Sequence, residues 1–280
     1  MRSSATRFRG LVLLAVLWSS FGSVAHAYPS AVIFTPVGAS LGPGVLGAYY
    51  YAAATRSQGV LSLTSWAGVE VGVSPTFGYG SGEGAARFGG VEIGLDVFGT
   101  NAGSYRFVLN AKTSLLVEGE YWPAIAVGVM QVDPENRDIS LDMAFVVLTK
   151  SVSIGGTSIG TFTLGYGHSL SPQAGGNDSP VFIGSAPFSA GARGGLLLGY
   201  ASPPVGPFNL VLDQVCGYSE DSSTNFALAY TPVPWFWAQL GGYVSNIHDR
   251  GHLFGGAFAS LSVMVDVPAL AVSAPEPAPE

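Results

Sequence analysis

Along most of the chain, apolar residues recur at every second position, which is the period of strands and not of helices. In Gly90-Val91-Glu92-Ile93-Gly94-Leu95-Asp96-Val97, one face carries Val91, Ile93, Leu95 and Val97. The other carries Glu92, Gly94 and Asp96. Gly68-Val69-Glu70-Val71-Gly72-Val73 repeats the pattern. Further runs lie at 45–54, 105–115, 124–132, 139–152, 158–168, 191–201, 208–218, 224–231, 235–244 and 253–267. Turn chemistry separates them: Asp133-Pro134-Glu135-Asn136, Gly155-Gly156, Pro203-Pro204, Ser219-Glu220-Asp221-Ser222 and Thr231-Pro232-Val233-Pro234. Successive alternating runs with turns between them read as consecutive antiparallel hairpins. At roughly twenty residues per strand and loop, roughly 240 ordered residues predict an all-β, up-and-down antiparallel barrel of about twelve strands.

Alternation alone does not say which face meets water. Composition bears on that choice, because only 10% of the residues are charged, whereas a water-exposed surface usually carries about 25% or more. The polar faces hold Gly, Ser, Thr, Ala and Asn with an occasional charge, where water-facing edge strands favour Lys and Glu. Such faces suit the lumen of a transmembrane barrel, whose lipid side is apolar. Aromatics gather near run ends at Tyr49-Tyr50-Tyr51, Tyr121-Trp122 and Trp235-Phe236-Trp237, as expected at lipid–water boundaries. The competing reading is a soluble periplasmic β-barrel or sandwich with core aromatics. The same composition excludes other classes. With 39 Gly and 18 Pro a helical bundle is disfavoured. A net charge of −7 argues against nucleic-acid partners, and the aromatic content argues against disorder.

Both ends of the chain read differently from the middle. Arg2, Arg7 and Arg9 precede an apolar stretch over 10–24 that ends in Ala25-His26-Ala27. This is the pattern of a cleaved secretory signal peptide over residues 1–27. Its removal leaves 8 basic against 18 acidic residues, a net of −10. The barrel domain is then expected over 28–267. Residues 268–280 form a Pro/Ala/Glu-rich tail that cannot enter a sheet and reads as flexible.

Several residues are candidates for chemistry. Glu70, Glu92, Asp96, Arg106, Lys112, Asp142, Lys150 and Asp213 lie on polar faces. In a membrane barrel they are expected to face the lumen, either as a charge-selective constriction or as ion pairs across neighbouring strands. The ion-pair reading is preferred because both signs occur on successive strands. His248-Asp249-Arg250-Gly251-His252 has ligand spacing for a helix, but it sits in an expected hairpin, so no metal site is expected. His168 with Ser169 and Ser171 departs from the His-x-Ser pattern of barrel lipid hydrolases and reads as a strand end. Gly78-Tyr79-Gly80-Ser81-Gly82-Glu83-Gly84 lacks the Lys of a phosphate loop and reads as a hairpin loop. The lone Cys216 reads as a small buried hydrophobe. No catalytic residue, cofactor or metal is expected.

Two stretches carry a resemblance. The first is Phe107-Val108-Leu109-Asn110-Ala111-Lys112, with Leu115-Leu116-Val117-Glu118-Gly119-Glu120 and Trp122-Pro123-Ala124-Ile125-Ala126-Val127-Gly128-Val129. The second runs from Leu212-Asp213 through Asn225-Phe226-Ala227-Leu228-Ala229-Tyr230-Thr231-Pro232 to Leu240-Gly241-Gly242-Tyr243. Together they span about half of the chain after residue 27, and they resemble the YjbH-type outer-membrane barrels associated with exopolysaccharide operons. The resemblance implies a barrel in the outer membrane of a Gram-negative bacterium, linked to envelope polysaccharide, with no catalytic residues to carry over. The expected partners are outer-membrane lipid, the barrel-assembly machinery, and polysaccharide or small solutes. Two functions follow as expectations. One is a barrel that passes or assists the passage of solutes or polysaccharide; the other is a structural or interaction barrel with a plugged lumen.

Overall fold

In the computed structural model the described residues are 36–37, 39–57, 60–73, 76–79, 86–99, 105–132, 143–170, 194–216, 223–249 and 252–267. The expected leader, the tail, Asp142, Ser171 and the turns at 133–136 and 219–222 lie outside them. The strands are β1 (Val45–Ser57), β2 (Val60–Gly72), β3 (Thr76–Tyr79), β4 (Ala86–Gly89), β5 (Val91–Gly99), β6 (Tyr105–Leu116) and β7 (Ala124–Val132). They continue as β8 (Met143–Ile154), β9 (Thr157–Ser169), β10 (Gly194–Ala201), β11 (Phe208–Val215), β12 (Ser223–Val233), β13 (Phe236–Asp249) and β14 (His252–Asp266).

Twelve of these strands close into one barrel in the order β1-β2-β5-β6-β7-β8-β9-β10-β11-β12-β13-β14. Every pairing in it is antiparallel, so the chain runs up and down the wall. Closure is made by β1 against β14, in register from Val45↔Asp266 to Arg56↔Gly255. An even number of strands lets an antiparallel meander close on itself and brings both of its ends to the same rim. The remaining two strands, β3 and β4, form a separate hairpin inserted between β2 and β5. The sequence reads Gly78 to Gly84 as a hairpin loop, and β3 and β4 are the hairpin's two short strands. Strands of four residues are too short to reveal their period.

Two connections at the rim holding the two barrel ends are two-residue turns. Gly155 and Gly156 join β8 to β9 with φ of 58° and 80°, the paired positive angles that a two-residue hairpin turn needs. A second two-residue turn, Pro234-Trp235, joins β12 to β13. The longest link, 170–193 between β9 and β10, lies at the opposite rim, which also has two-residue links at 58–59 and 250–251.

The strand period sorts the residues by face. Val69, Ile93, Leu95, Leu164, Leu212 and Leu261 are exposed on the outside. Their neighbours in sequence point inward and are buried. Around Tyr51 the interior is aromatic: its ring stacks on Trp66 at 3.8 Å and on Phe258 at 5.2 Å between centroids. A second apolar cluster gathers Met130, Met143, Phe145, Val147, Leu197 and Val215. Between and above these lie polar rungs, including Thr149 and Thr163, whose hydroxyls are 2.9 Å apart. Tyr51, Phe258, Leu197 and Val211 are 2% exposed or less, which a water-filled lumen would not allow. The interior is packed.

Glycines make room for the inward rings. Gly68 faces Tyr49 across β1 and β2, and a Cβ on Gly68 would collide with the Tyr49 ring and the Asp96 carboxylate. The Tyr49-Tyr50-Tyr51 run divides between faces by the strand period, with Tyr50 exposed and Tyr49 and Tyr51 buried, while Trp235 is exposed in the turn before β13 and Trp237 is buried within that strand. The expectation that whole aromatic runs mark a boundary is therefore corrected, because adjacent residues in a strand cannot share a face. The rings exposed near the rim of the barrel ends include Tyr121, Phe162, Phe208, Tyr230 and Trp235, and those near the other rim include Tyr105, Phe107 and Tyr166.

Candidate functional site

The polar centre of the barrel lies on β1, β2, β5 and β6. Glu70, Glu92, Asp96 and Lys112 all take inward positions in the alternation and are 1–6% exposed. Glu92 and Lys112 are direct register partners on β5 and β6, and their side chains pair at 3.7 Å. This is the cross-strand pairing of opposite charges that the sequence suggested. Glu70 is close enough to interact with the same ammonium. Deeper in, the Tyr49 hydroxyl donates to Asp96 Oδ1, and the Asn110 side chain also hydrogen-bonds Asp96.

These groups hold a strap formed by the chain just before β1. Lys112 Nζ donates to the Ala39 carbonyl at 2.6 Å, and Glu92 Oε2 accepts the Leu41 N–H at 2.8 Å. The Ser40 hydroxyl lies 2.5 Å from that of Ser114 and donates to the Gly90 carbonyl at 3.2 Å. Val37 and Leu41 are buried, and Val37 packs into the cluster containing Tyr49 and Tyr51. Gly44, with φ of 77°, turns the chain out of the interior into β1. The charged residues thus grip backbone groups of the strap, which would otherwise be buried without partners.

A β-bulge completes the site. Leu109 pairs with Val132 and Ala111 with Val129, so Met130 and Gln131 together oppose the single residue Asn110. Gln131 sits at φ of 55°, and its N–H donates to Asn110 Oδ1 at 2.7 Å. Its side chain is 1% exposed, and among the described residues neither amide atom finds a hydrogen-bond partner. Pro36, Tyr49, Glu70, Asp96, Asn110 and Gln131 all line one cavity of about 30 Å³.

Other candidates fall elsewhere. Asp213 is inward and buried on β11, across the barrel wall sequence from this cluster, and accepts a 2.6 Å bond from Asn225 Nδ2. Lys150 departs from the expectation of a lumen position. It shares the outward register of Val146 and Leu148 on β8, pairs with Glu118 at 3.4 Å, and donates to the carbonyls of Gly119 and Glu120 at 2.5 and 2.9 Å. It ties down the β6–β7 turn at the rim, where a long side chain reaches turn carbonyls. Arg106 is in β6 opposite Phe98, but its side chain, like Asp142 as a whole, lies outside the described residues.

His168 points outward and is exposed at the end of β9. The backbone of His248 and His252 forms the paired ends of β13 and β14, and their side chains lie outside the described residues. Among the described residues no three His, Cys, Asp or Glu side chains group as a metal centre. Cys216 is half-buried and its N–H extends the ladder to the Leu196 carbonyl at 2.9 Å.

The residues that sequence reasoning missed are Tyr49, Asn110, Gln131 and the strap. Met130-Gln131, a break in the alternation, was the available signal for the bulge. The strap carries no periodic signal at all. The chain matches no protein-family model and no curated protein.

Proposed function

We propose that this chain is a cell-envelope β-barrel of the outer membrane whose packed interior serves a structural or interaction role and not passive conduction. The observation that carries the reading is the placement of the two faces. Leu, Val, Ile and Phe are exposed outside, while Glu70, Glu92, Asp96, Lys112 and Asp213 are buried inside. A barrel covered by water would reverse this order. Exposed rings near both rims support the same reading. The interior favours the plugged alternative over the channel, since the strap and the Tyr51–Trp66–Phe258 stack occupy it. The resemblance to the exopolysaccharide-associated barrels supports a link to envelope polysaccharide, with outer-membrane lipid and the assembly machinery as partners.

The test is reconstitution of residues 28–280. The expected result is folding only in detergent or lipid, and insertion into planar bilayers without steady current. Stable ion-selective steps would replace the plugged barrel with a channel. Folding in plain buffer would replace the membrane barrel with a soluble one.

A further inference from the structure

We propose that the strap before β1 is a withdrawable gate: seated, it closes the lumen, and drawn out about its Gly42-Pro43-Gly44 base it leaves a pore for small polar solutes. The inference rests on the membrane-barrel reading and adds to it a state in which the lumen is open. It starts from width. About eight strands make a barrel that its own side chains can fill, and a wider one needs further filling. This barrel has twelve strands, and several inward positions carry only a methyl group. Ala53, Ala126, Ala201, Ala227 and Ala229 are all 7% exposed or less, although side chains this short reach little of the lumen. Val37 of the strap is fully buried and belongs to the cluster that joins β1, β2 and β14 to β10, β11 and β12. The Tyr51–Trp66–Phe258 stack comes from three adjacent strands, so it runs along one side of the wall.

The attachment of the strap suits a part that moves in and out. Its base joins the wall through backbone: the Gly44 N–H donates to the Gly72 carbonyl at 2.8 Å, and the Gly44 carbonyl accepts from the Val267 N–H at 2.7 Å. Gly72 is a notch for that base, since a Cβ there would collide with the Gly42 carbonyl oxygen. The arm beyond is held by side chains: Lys112 on Ala39, Glu92 on Leu41 and Ser114 on Ser40. None of these bonds belongs to the strand ladder, so the arm can leave while the twelve strands stay paired. Its departure would wet a lining rich in polar groups. Thr149, Thr163, Asn209, Gln239, Ser260 and Ser262 are buried inward side chains. Water can replace their partners at modest net change, because hydrogen bonds to water are exchanged for hydrogen bonds to protein. Hydroxyl and amide groups of this kind favour small polar solutes over apolar ones. Val37 and Leu41 are the apolar anchors that keep the closed state preferred.

The test uses the mature full chain, residues 28–280, in a Cys216→Ser background and refolded in detergent. In the first arm, Val37→Cys is treated with a bulky, charged maleimide while the barrel is folded. Val37 is 0% exposed when the strap is seated, so modification of folded protein reports withdrawal and is the expected result. A thiol that reacts only after denaturation overturns the proposal. In the second arm, Val37→Asp with Leu41→Asp removes both anchors, and planar-bilayer current and pentose entry into vesicles are measured. Both positions lie outside the ladder, so the variant should keep heat-modifiable gel mobility. It should be open at least about tenfold more of the time than the native protein, since each lost anchor removes at least that much bias. Adding Ser40→Cys and Ser114→Cys, whose parent hydroxyls are 2.5 Å apart, should let oxidation close the pore and a reductant reopen it. A folded anchor variant that passes neither ions nor pentose overturns the gate and leaves the plugged barrel standing. Current indifferent to oxidation also overturns the gate, since it does not run past the strap. Steady current from the native protein overturns both readings. Should the anchor variant fail to fold, the thiol arm decides alone.

Discussion

Lys112 illustrates how one residue can hold several parts together. Its ammonium is buried, pairs with Glu92 and donates to the Ala39 carbonyl. Removing one partner of a buried pair leaves the other charge uncompensated, a loss of about 3–5 kcal/mol, whereas replacing both by apolar groups is often neutral. Lys112→Met is therefore expected to lower unfolding stability by about that amount, and adding Glu92→Met to recover much of it. Denaturant unfolding of the two variants in lipid vesicles decides the matter. Equal stabilities would show that the pair adds nothing beyond its separate desolvation. Lys150 makes the opposite point. It is also a strand lysine paired to a glutamate, but it sits at an exposed rim, where solvent screening leaves little net gain.

The elements of this barrel are ordinary strands, and what individualises it is the strap before β1. It contributes two buried apolar side chains, Val37 and Leu41, while its backbone is held by lumen side chains. Burying a Val or Leu fully is worth about 1.5–3 kcal/mol each. A chain beginning at Gly42 should still form the twelve-stranded ladder, because every register pair lies beyond the cut. It should be less stable by about 3 kcal/mol or more, read as a lower denaturant midpoint. An unchanged midpoint would show that the strap merely occupies space. The twelve barrel strands were legible as alternating runs, and their starts at 45, 105, 124 and 208 coincide with the sequence pattern. The hairpin loop at 78–84 was also legible, but its four-residue strands β3 and β4 and the bulge at Met130-Gln131 were not, since all are too short or irregular to show the strand period.

At the scale of the molecule, the consequential property is the outer face. Leu164, midway along β9, is exposed there. If lipid covers it, Leu164→Arg should cost about 2–4 kcal/mol in vesicles, the penalty for a cation near the bilayer midplane. Folding titrations in phospholipid vesicles measure it; a neutral or stabilising effect would indicate a water-covered wall. The alternation, the turn residues and the scarcity of charge sufficed to derive an all-β meander of about twelve strands, because period two is a property of the backbone that each segment carries by itself. The face each run presents, the closure of β1 on β14, the meeting of Glu92 with Lys112 and the gathering of Tyr49, Asp96, Asn110 and Gln131 around one cavity were decided only in three dimensions. Those contacts join residues distant in sequence, so they depend on register and curvature, which no local pattern encodes.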